Sequence, residues 1–249
     1  MNISELYNIF KEYPSISTDS RNIKKDSIFF ALKGENFNGN KFAEEALKIG
    51  CKYAVIDEKE YEINENYILV DNALNTLQQL ASLHRDNINI PIIAITGTNG
   101  KTTSKELITS CLSSELETAY TKGNYNNHIG VPLTLLEINK KHEIGIIEMG
   151  ANHKNEINFL CEIAKPSYGI ITNIGKAHLE GFKNFEGVKS TKKELYDFIK
   201  KNNGIIFINN DDKTLNEISE NIKSITYGKK GNVIGEEINS SVYTQVLFN

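Results

Sequence analysis

The chain has 249 residues, 39% of them hydrophobic and 24% charged, with a formal net charge of -4. That length admits one large domain or two modest ones, and a composition without low-complexity tracts argues against disorder. The charge balance argues against a general polyanion binder, because the lysine pairs at 24–25, 140–141, 192–193, 200–201 and 229–230 are scattered among acids rather than aligned for nucleic acid.

In chain order, the first 87 residues predict a small α/β unit. A helix over Ser4 to Lys11 is followed by the apolar strand "SIFFAL" and a helix from Lys41 to Ile49 that stops at Gly50. The strands "KYAVI" and "YILV" come next, and then a helix whose Leu74, Leu77 and Leu80 share one face. The polar stretch "HRDNINIP" places a domain boundary near residue 88, giving domains 1–87 and 88–249. Beyond it strands alternate with helices: "IIAIT", a helix from Lys101, "TAYT", "EIGIIEMG", a helix across "NEINFLCEIA", "YGIITNIG", a helix from Glu186 to Lys201, and "GIIFINN". Such alternation predicts a mainly parallel sheet covered by helices on both faces. Ligands of such sheets bind at the carboxyl ends of strands. The glycine turn at 97–100, Glu148, His178 and Asn209 all fall at or just after such ends.

Cys51, Cys111 and Cys161 are widely spaced and form no CxxC pair, so they predict buried free thiols rather than disulfides or a zinc site. The N-terminus has no basic-then-apolar leader, and nowhere do 18 apolar residues run together. These features lead to the expectation of a cytoplasmic protein with no membrane insertion.

The stretch "IPIIAITGTNGKTTSKELI", 90 to 108, carries the chemistry. It lacks the first glycine of GxxxxGK[ST], with Ile95 standing there, but keeps a buried strand, a glycine turn and a helix start. Converging backbone N–H groups and the positive end of a helix favour a phosphate. Lys101 could reach the β- and γ-phosphates, and the Thr102 hydroxyl could hold Mg²⁺. An ordinary strand-to-helix turn is the alternative, and the GKT ending favours the nucleotide.

"TGTNGKTT" resembles the ATP loop of the Mur ligase family and the related folylpolyglutamate synthases, in which the shortened glycine pattern is usual. "GNYNNHIGVPLTLL" (123–136), "IIEMGANHKNEI" (146–157) and "TNIGKAHLEGF" (172–182) are similar, in order and spacing, to the members that add D-alanyl-D-alanine to UDP-N-acetylmuramoyl-tripeptide. The resemblance implies ATP-dependent, ADP-forming amide synthesis through an acyl phosphate, with two Mg²⁺ ions and no nucleophilic side chain. It implies ATP contacts from Gly97, Thr98, Asn99, Gly100, Lys101, Thr102, Thr103 and Asn209, the last in "FINNDD". It further implies metal ligation by Thr102, Glu148, His178 and Lys192, the lysine as a CO₂-derived carbamate. Lys101, Glu148, His178 and Lys192 would be the catalytic set. Lys193 stands where the family has glycine, and Glu194 sets the register in favour of Lys192.

"STDSR" (17–21) and "FFALKGENFNGNKFAEEALKIG" resemble the UDP-sugar domain of the same enzymes. Thr18, Asp19, Ser20 and Arg21, with Asn126 and Asn127 of the central motif, would then contact substrate, Arg21 by its bidentate fork. The family's DGHxF is Asn38-Gly39-Asn40-Lys41-Phe42 in this chain, and Asp26 replaces a glycine. The fold implied is a small N-terminal α/β UDP-substrate domain followed by a P-loop-type ATPase domain. Beside the resemblance the chain is expected to lack the family's C-terminal domain and the end of the central domain, so impaired ligation is expected; a monomer is expected as well. The alternatives are another branch of the family, a non-catalytic nucleotide- or UDP-sugar-binding module, and an unrelated P-loop phosphotransferase.

Overall fold

The computed structural model describes residues 1–175, 182, 184–238 and 245–248. Helix α1 (Ile3–Glu12) begins with a reciprocal cap: the Asn2 side chain accepts the Glu5 N–H at 2.9 Å, and Glu5 accepts the Asn2 N–H at 2.9 Å. Strands β1 (Ile16–Ser17) and β2 (Ile28–Phe30) follow, and then a short hairpin of β3 (Lys33–Gly34) and β4 (Phe37–Asn38). The helix expected from Lys41 starts as a 3-10 turn over Gly39–Phe42 and becomes α2 only at Ala43, running to Ile49. After β5 (Tyr53–Ile56) and β6 (Tyr67–Leu69), α3 (Ala73–Asn87) is capped by Asn72, which accepts the Asn75 N–H at 2.8 Å. The four longer-range strands form one parallel sheet in the order β1-β2-β5-β6.

The second part opens with β7 (Ile92–Thr96), buried at every position, as expected of a strand covered on both faces. It continues through α4 (Lys101–Leu112), β8 (Thr118–Tyr120), α5 (Gly130–Leu136), β9 (Ile144–Glu148), α6 (Glu156–Ala164) and β10 (Tyr168–Ile171). Next come α7 (Phe185–Lys201), β11 (Ile205–Asn209), α8 (Lys213–Ile218), β12 (Ser224–Tyr227) and an antiparallel ribbon of β13 (Gly235–Ile238) and β14 (Gln245–Phe248). Six strands form a parallel sheet in the order β12-β11-β10-β7-β9-β8. The architecture is therefore α/β with parallel sheets. Alternation along the strands sends Ile93 and Ile95 toward Ile108 and Leu112 of α4, while a Cβ at Gly169 would meet Ile199 and Leu195 of α7. The two helices thus cover opposite faces. Each fully buried isoleucine contributes about 1.5–3 kcal/mol relative to exposure.

Contacts divide the chain into two units, Met1–Asn89 with His128–Lys140, and Ile90–Asn127 with Lys141–Asn249. The excursion at 128–140 places α5 against α3. The His84 ring nitrogen Nε2 lies 2.8 Å from the Ile138 carbonyl, and the Gln78 amide donates to the His128 carbonyl at 2.9 Å. One cysteine departs from the sequence expectation. Cys51 and Cys161 are buried and burial raises both thiols, but Cys111 is exposed. Its helix buries Lys105 and Thr109 instead.

In the first unit Asn40, buried in the variant NGNKF stretch, ties the hairpin to the sheet. Its amide donates to Asn38 Oδ1 and Asp57 Oδ1 at 2.9 Å each, and its carbonyl accepts the Asp57 N–H at 3.0 Å. Asp57 also accepts the Ala73 N–H at 3.2 Å and pairs with Lys33 at 2.9 Å. Replacing Asn40 by alanine strands buried partners, so N40A is expected to lower stability by about 2–3 kcal/mol in urea titration.

Candidate functional site

Strand β7 has β9 on one side and β10 on the other. From β7 the chain first runs to the edge strand β8 and returns to β9 beside β7, and then crosses to the opposite side for β10, β11 and β12. That reversal makes the carboxyl end of β7 the topological switch point, where open parallel sheets bind ligands. The glycine turn sits there. Gly97 has φ +146°, and a Cβ on it would lie 2.0 Å from Thr172 Oγ1, so this position takes only glycine. Gly100, at φ +75°, precedes α4 without a side-chain cap, so the first-turn N–H groups of α4 have neither a capping side chain nor an intrahelical acceptor.

The segment after β10 braces this turn. Thr98 N–H donates to the Asn173 carbonyl at 3.0 Å and Asn99 N–H to Asn173 Oδ1 at 3.1 Å. The Asn99 carbonyl accepts from Thr172 Oγ1 at 2.6 Å and from Asn173 Nδ2 at 2.9 Å, and Gly175 N–H donates to Thr98 Oγ1 at 2.9 Å. Lys101 folds back on its own turn, its Nζ donating to the carbonyls of Gly97 at 2.8 Å and Thr98 at 3.0 Å. Burial pulls its pKa below the usual lysine value, against the opposing pull of Glu148.

Glu148 ends β9, in register with Ile95 of β7, and is only 1% exposed. Thr102 Oγ1 donates to its Oε2 at 2.9 Å, Asn126 Nδ2 donates to its Oε1 at 2.8 Å, and its own N–H donates to Thr121 Oγ1 at 3.0 Å. Both side-chain partners are neutral, and among the described residues no cation lies within ion-pair distance. A buried carboxylate in that state calls for a cation. The oxygens of Glu148 and Thr102 are hard donors that suit Mg²⁺. Among the described residues, no three His, Cys, Asp or Glu side chains converge on one point.

Lys192 on α7 is 3% exposed, with its Nζ 5.9 Å from the centre of the Phe182 ring. Burial, helped by the charge of Lys101, lowers its pKa to about 8. Glu194, one of its near charges, accepts the N–H groups of Asn155 at 2.8 Å and Asn158 at 3.0 Å and so fastens α7 to the start of α6. His178 lies outside the described residues. Thr103 occupies the exposed first turn of α4, and Asn209 closes β11 with its Oδ1 on the Asp211 N–H at 3.0 Å. Asp212 of the same stretch caps α8. Asn127 is exposed beside Asn126.

The remaining expected site residues lie in the first unit. Arg21 grips Asp19 bidentately, Nε to Oδ1 at 2.9 Å and Nη2 to Oδ2 at 2.7 Å, and holds that carboxyl down to about 2. Ser20 and Thr18 flank this pair, both part-exposed. Lys101, Thr102, Asn126 and Glu148 are thus gathered at one strand end of the second unit, and Thr18 to Arg21 form a surface turn of the first.

The pattern described as the Mur ligase middle domain matches residues 95–247, and that of the Mur ligase family, catalytic domain, matches residues 12–85. The chain belongs to the Mur ligase family. The UDP-N-acetylmuramoyl-tripeptide--D-alanyl-D-alanine ligase of Haemophilus influenzae is 41% identical over 198 residues, which are 78% of this chain and 43% of that protein. The ligase of the same name from Bacillus subtilis is 37% identical over 215 residues, 86% of this chain and 47% of its own length. The crystal structure of MurF ligase from Thermotoga maritima in complex with ADP superposes with a TM-score of 0.83 at 30% identity, covering 94% of this Mur ligase chain and 55% of that one. The chain spans about half the length of the curated relatives it matches.

Sequence reasoning passed over Thr121, Thr172 and Asn173, which orient the turn and Glu148. Polar residues directly after buried strands were the available signal. Lys192 gives this subsection its prediction. Its folded pKa of about 8 lies below the ordinary 10.5, so from 10.5 down to 8 the unfolded chain takes up the proton first. The lysine therefore costs stability, on the order of 3 kcal/mol, at every pH below about 8, and that cost fades as pH rises toward 10.5. In CO₂-free buffer K192M is expected to melt higher than the unsubstituted chain at pH 7, with the difference closing by about pH 10.5 in a calorimetric pH series.

Proposed function

We propose that the second unit binds ATP with Mg²⁺ at the turn 97–100 and serves an amide ligase that joins D-alanyl-D-alanine to UDP-N-acetylmuramoyl-tripeptide. The observation that carries this reading is the pairing of a rigid, uncapped glycine turn with a buried carboxylate, Glu148, lacking any ion-pair partner among the described residues. The relatives named for that reaction support it. Residues 1–87 form the UDP-substrate domain in this reading, with Arg21 exchanging Asp19 for a diphosphate, and residues 88–249 form the ATP-binding domain.

The residues divide the work by their chemistry. N–H groups at the start of α4 receive the phosphate oxygens. Lys101 leaves the Gly97 and Thr98 carbonyls to meet the β- and γ-phosphates, a short swing because its Nζ is already held at the turn. Thr102 and Glu148, with His178 and a carbamylated Lys192, would hold Mg²⁺. When bound, the cation offsets the charge that slows attack of a carboxylate on a phosphoryl group. The tripeptide carboxylate takes the γ-phosphoryl group to give an acyl phosphate and ADP. The dipeptide amine then forms the amide and releases phosphate. No side chain of the chain forms a covalent bond to substrate in these steps. Cys161 is buried with a raised pKa, and neither it nor the exposed Cys111 takes part.

The environment of Lys192 supports carbamylation. A pKa of about 8 leaves about a tenth of the amine neutral at pH 7, and only the neutral amine adds CO₂. The product is an anion among the cationic groups of the site. With ¹³C-labelled bicarbonate and Mg·ADP, a carbamate resonance is expected from the unsubstituted chain and not from K192M. Its absence from both would remove Lys192 from the ligand set.

Nucleotide binding tests the reading as a whole. Calorimetry is expected to show Mg·ADP binding by this chain, weakened at least about tenfold in K101M. ADP release that depends on both UDP-N-acetylmuramoyl-tripeptide and D-alanyl-D-alanine is expected only when the part matching the other half of the relatives is supplied. Binding of ADP without such release in the completed protein would favour a non-catalytic nucleotide-binding module.

A further inference from the structure

Lys105 lies one helical turn beyond Lys101 and belongs to no part of the mechanism above. It is 0% exposed, one of the largest fully buried side chains described, and it is a lysine. Its Nζ donates to the Thr121 carbonyl at 2.7 Å, pairs with Glu106 Oε1 at 2.7 Å and lies 5.7 Å from the centre of the Tyr120 ring. Burying an ammonium is expensive, and Glu106, itself largely exposed, offsets only part of that cost. An apolar residue would cover the sheet at lower cost. The lysine is therefore explained by what its bond fixes rather than by packing.

What it fixes is the stretch that wraps Glu148. Thr121, fully buried just past β8, receives Lys105 on its carbonyl and, on its hydroxyl, the Glu148 N–H at 3.0 Å. Thr121 N–H in turn donates to the Ile146 carbonyl at 3.0 Å. Five residues later Asn126 donates its amide to Glu148 Oε1, and its carbonyl accepts the Gly150 N–H at 2.7 Å. The stretch 121–126 thus holds Glu148 at its backbone and at its carboxylate, and Lys105 is the side chain of α4 that pins the near end of that stretch.

We propose that Lys105 is a positioning residue: acting through Thr121, it orients the Glu148 carboxylate for the divalent cation that accompanies the nucleotide. The proposal rests on the Mg·nucleotide reading of this site. Outer partners of this kind usually change metal affinity by about 10–100-fold when removed. They have little effect on groups that touch only the nucleotide.

The test compares ADP binding with and without MgCl₂ by calorimetry in K105M, T121V and T121S. The ratio of the two affinities is the readout, because a general loss of structure lowers both together. K105M and T121V are expected to lower the Mg²⁺-dependent gain in ADP affinity by about tenfold or more and to leave metal-free ADP binding within about twofold. T121S keeps the hydroxyl and is expected to recover most of the gain. The double variant is expected to lose little beyond either single one, since both act on one linkage. An unchanged ratio in K105M overturns the role of Lys105, as does an equal loss with and without the metal. If K105M fails to fold, T121V against T121S decides: equal ratios in the two overturn the proposal. Failure of the unsubstituted chain to bind ADP would instead overturn the nucleotide reading on which this one stands.

Discussion

The second unit is organised around a carboxylate that the fold buries before supplying its counter-charge. Glu148 ends a strand buried at every position, and among the described residues its polar contacts are a hydroxyl, an amide and its own backbone contacts. Taking an acid out of water costs several kcal/mol unless charge or hydrogen bonds compensate. The two neutral donors recover part of that cost, and the remainder is a standing attraction for a cation. The neighbouring elements are arranged in accordance with it. Gly97 must be glycine for Thr172 to close over the turn, and the Thr172–Asn173 pair then fixes the turn relative to the strand end.

The lysines of the site are held away from their comfortable state in the same manner. Lys101 spends its ammonium on two carbonyls of its own turn, and burial lowers its pKa despite Glu148. Lys192 is lowered further, by burial and by Lys101. One acid without an ion pair and two disfavoured ammonium groups thus share a small region among the described residues. Direct pairing would have relaxed all of them. The fold keeps them apart, and in the proposed reading an incoming triphosphate and divalent ion would satisfy them together. In that reading the arrangement is the preorganisation that electrostatic catalysis requires.

The legible part of the sequence was the part in which one physical signal dominated. The run "IIAIT" could only be a doubly covered strand, and the glycines after it could only be a turn. The helix expected over 186–201 forms and ends at Lys201 as expected, starting one residue earlier at Phe185. Reading failed where polarity and burial part company. On α4 the buried positions are Lys105 and Thr109, while Leu107 and Cys111 face solvent, so the expectation of a buried thiol fails at Cys111. Short elements such as β1 and β12, the latter largely exposed, carried too few apolar residues to register. The apolar run at 131–136 is α5, and only its packing against α3 reveals that it joins the first unit.

The site residues were legible by resemblance more than by physics, and the difference shows in the two asparagine-rich stretches. Asn126 looked like a substrate contact, and its amide rests on Glu148 Oε1 in the structure, which gives it a share in orienting the acid. Asn209 and Asp212 have local turn and cap duties that any strand-to-helix connection could require. In the first unit, Arg21 already holds the bidentate partner its geometry prefers, but that partner is the exposed Asp19 two residues away. Exposed pairs are screened and weak. An arginine stored in this manner is kept in its extended fork geometry at little cost, and in the proposed reading a diphosphate, with more charge than one carboxylate, would displace Asp19.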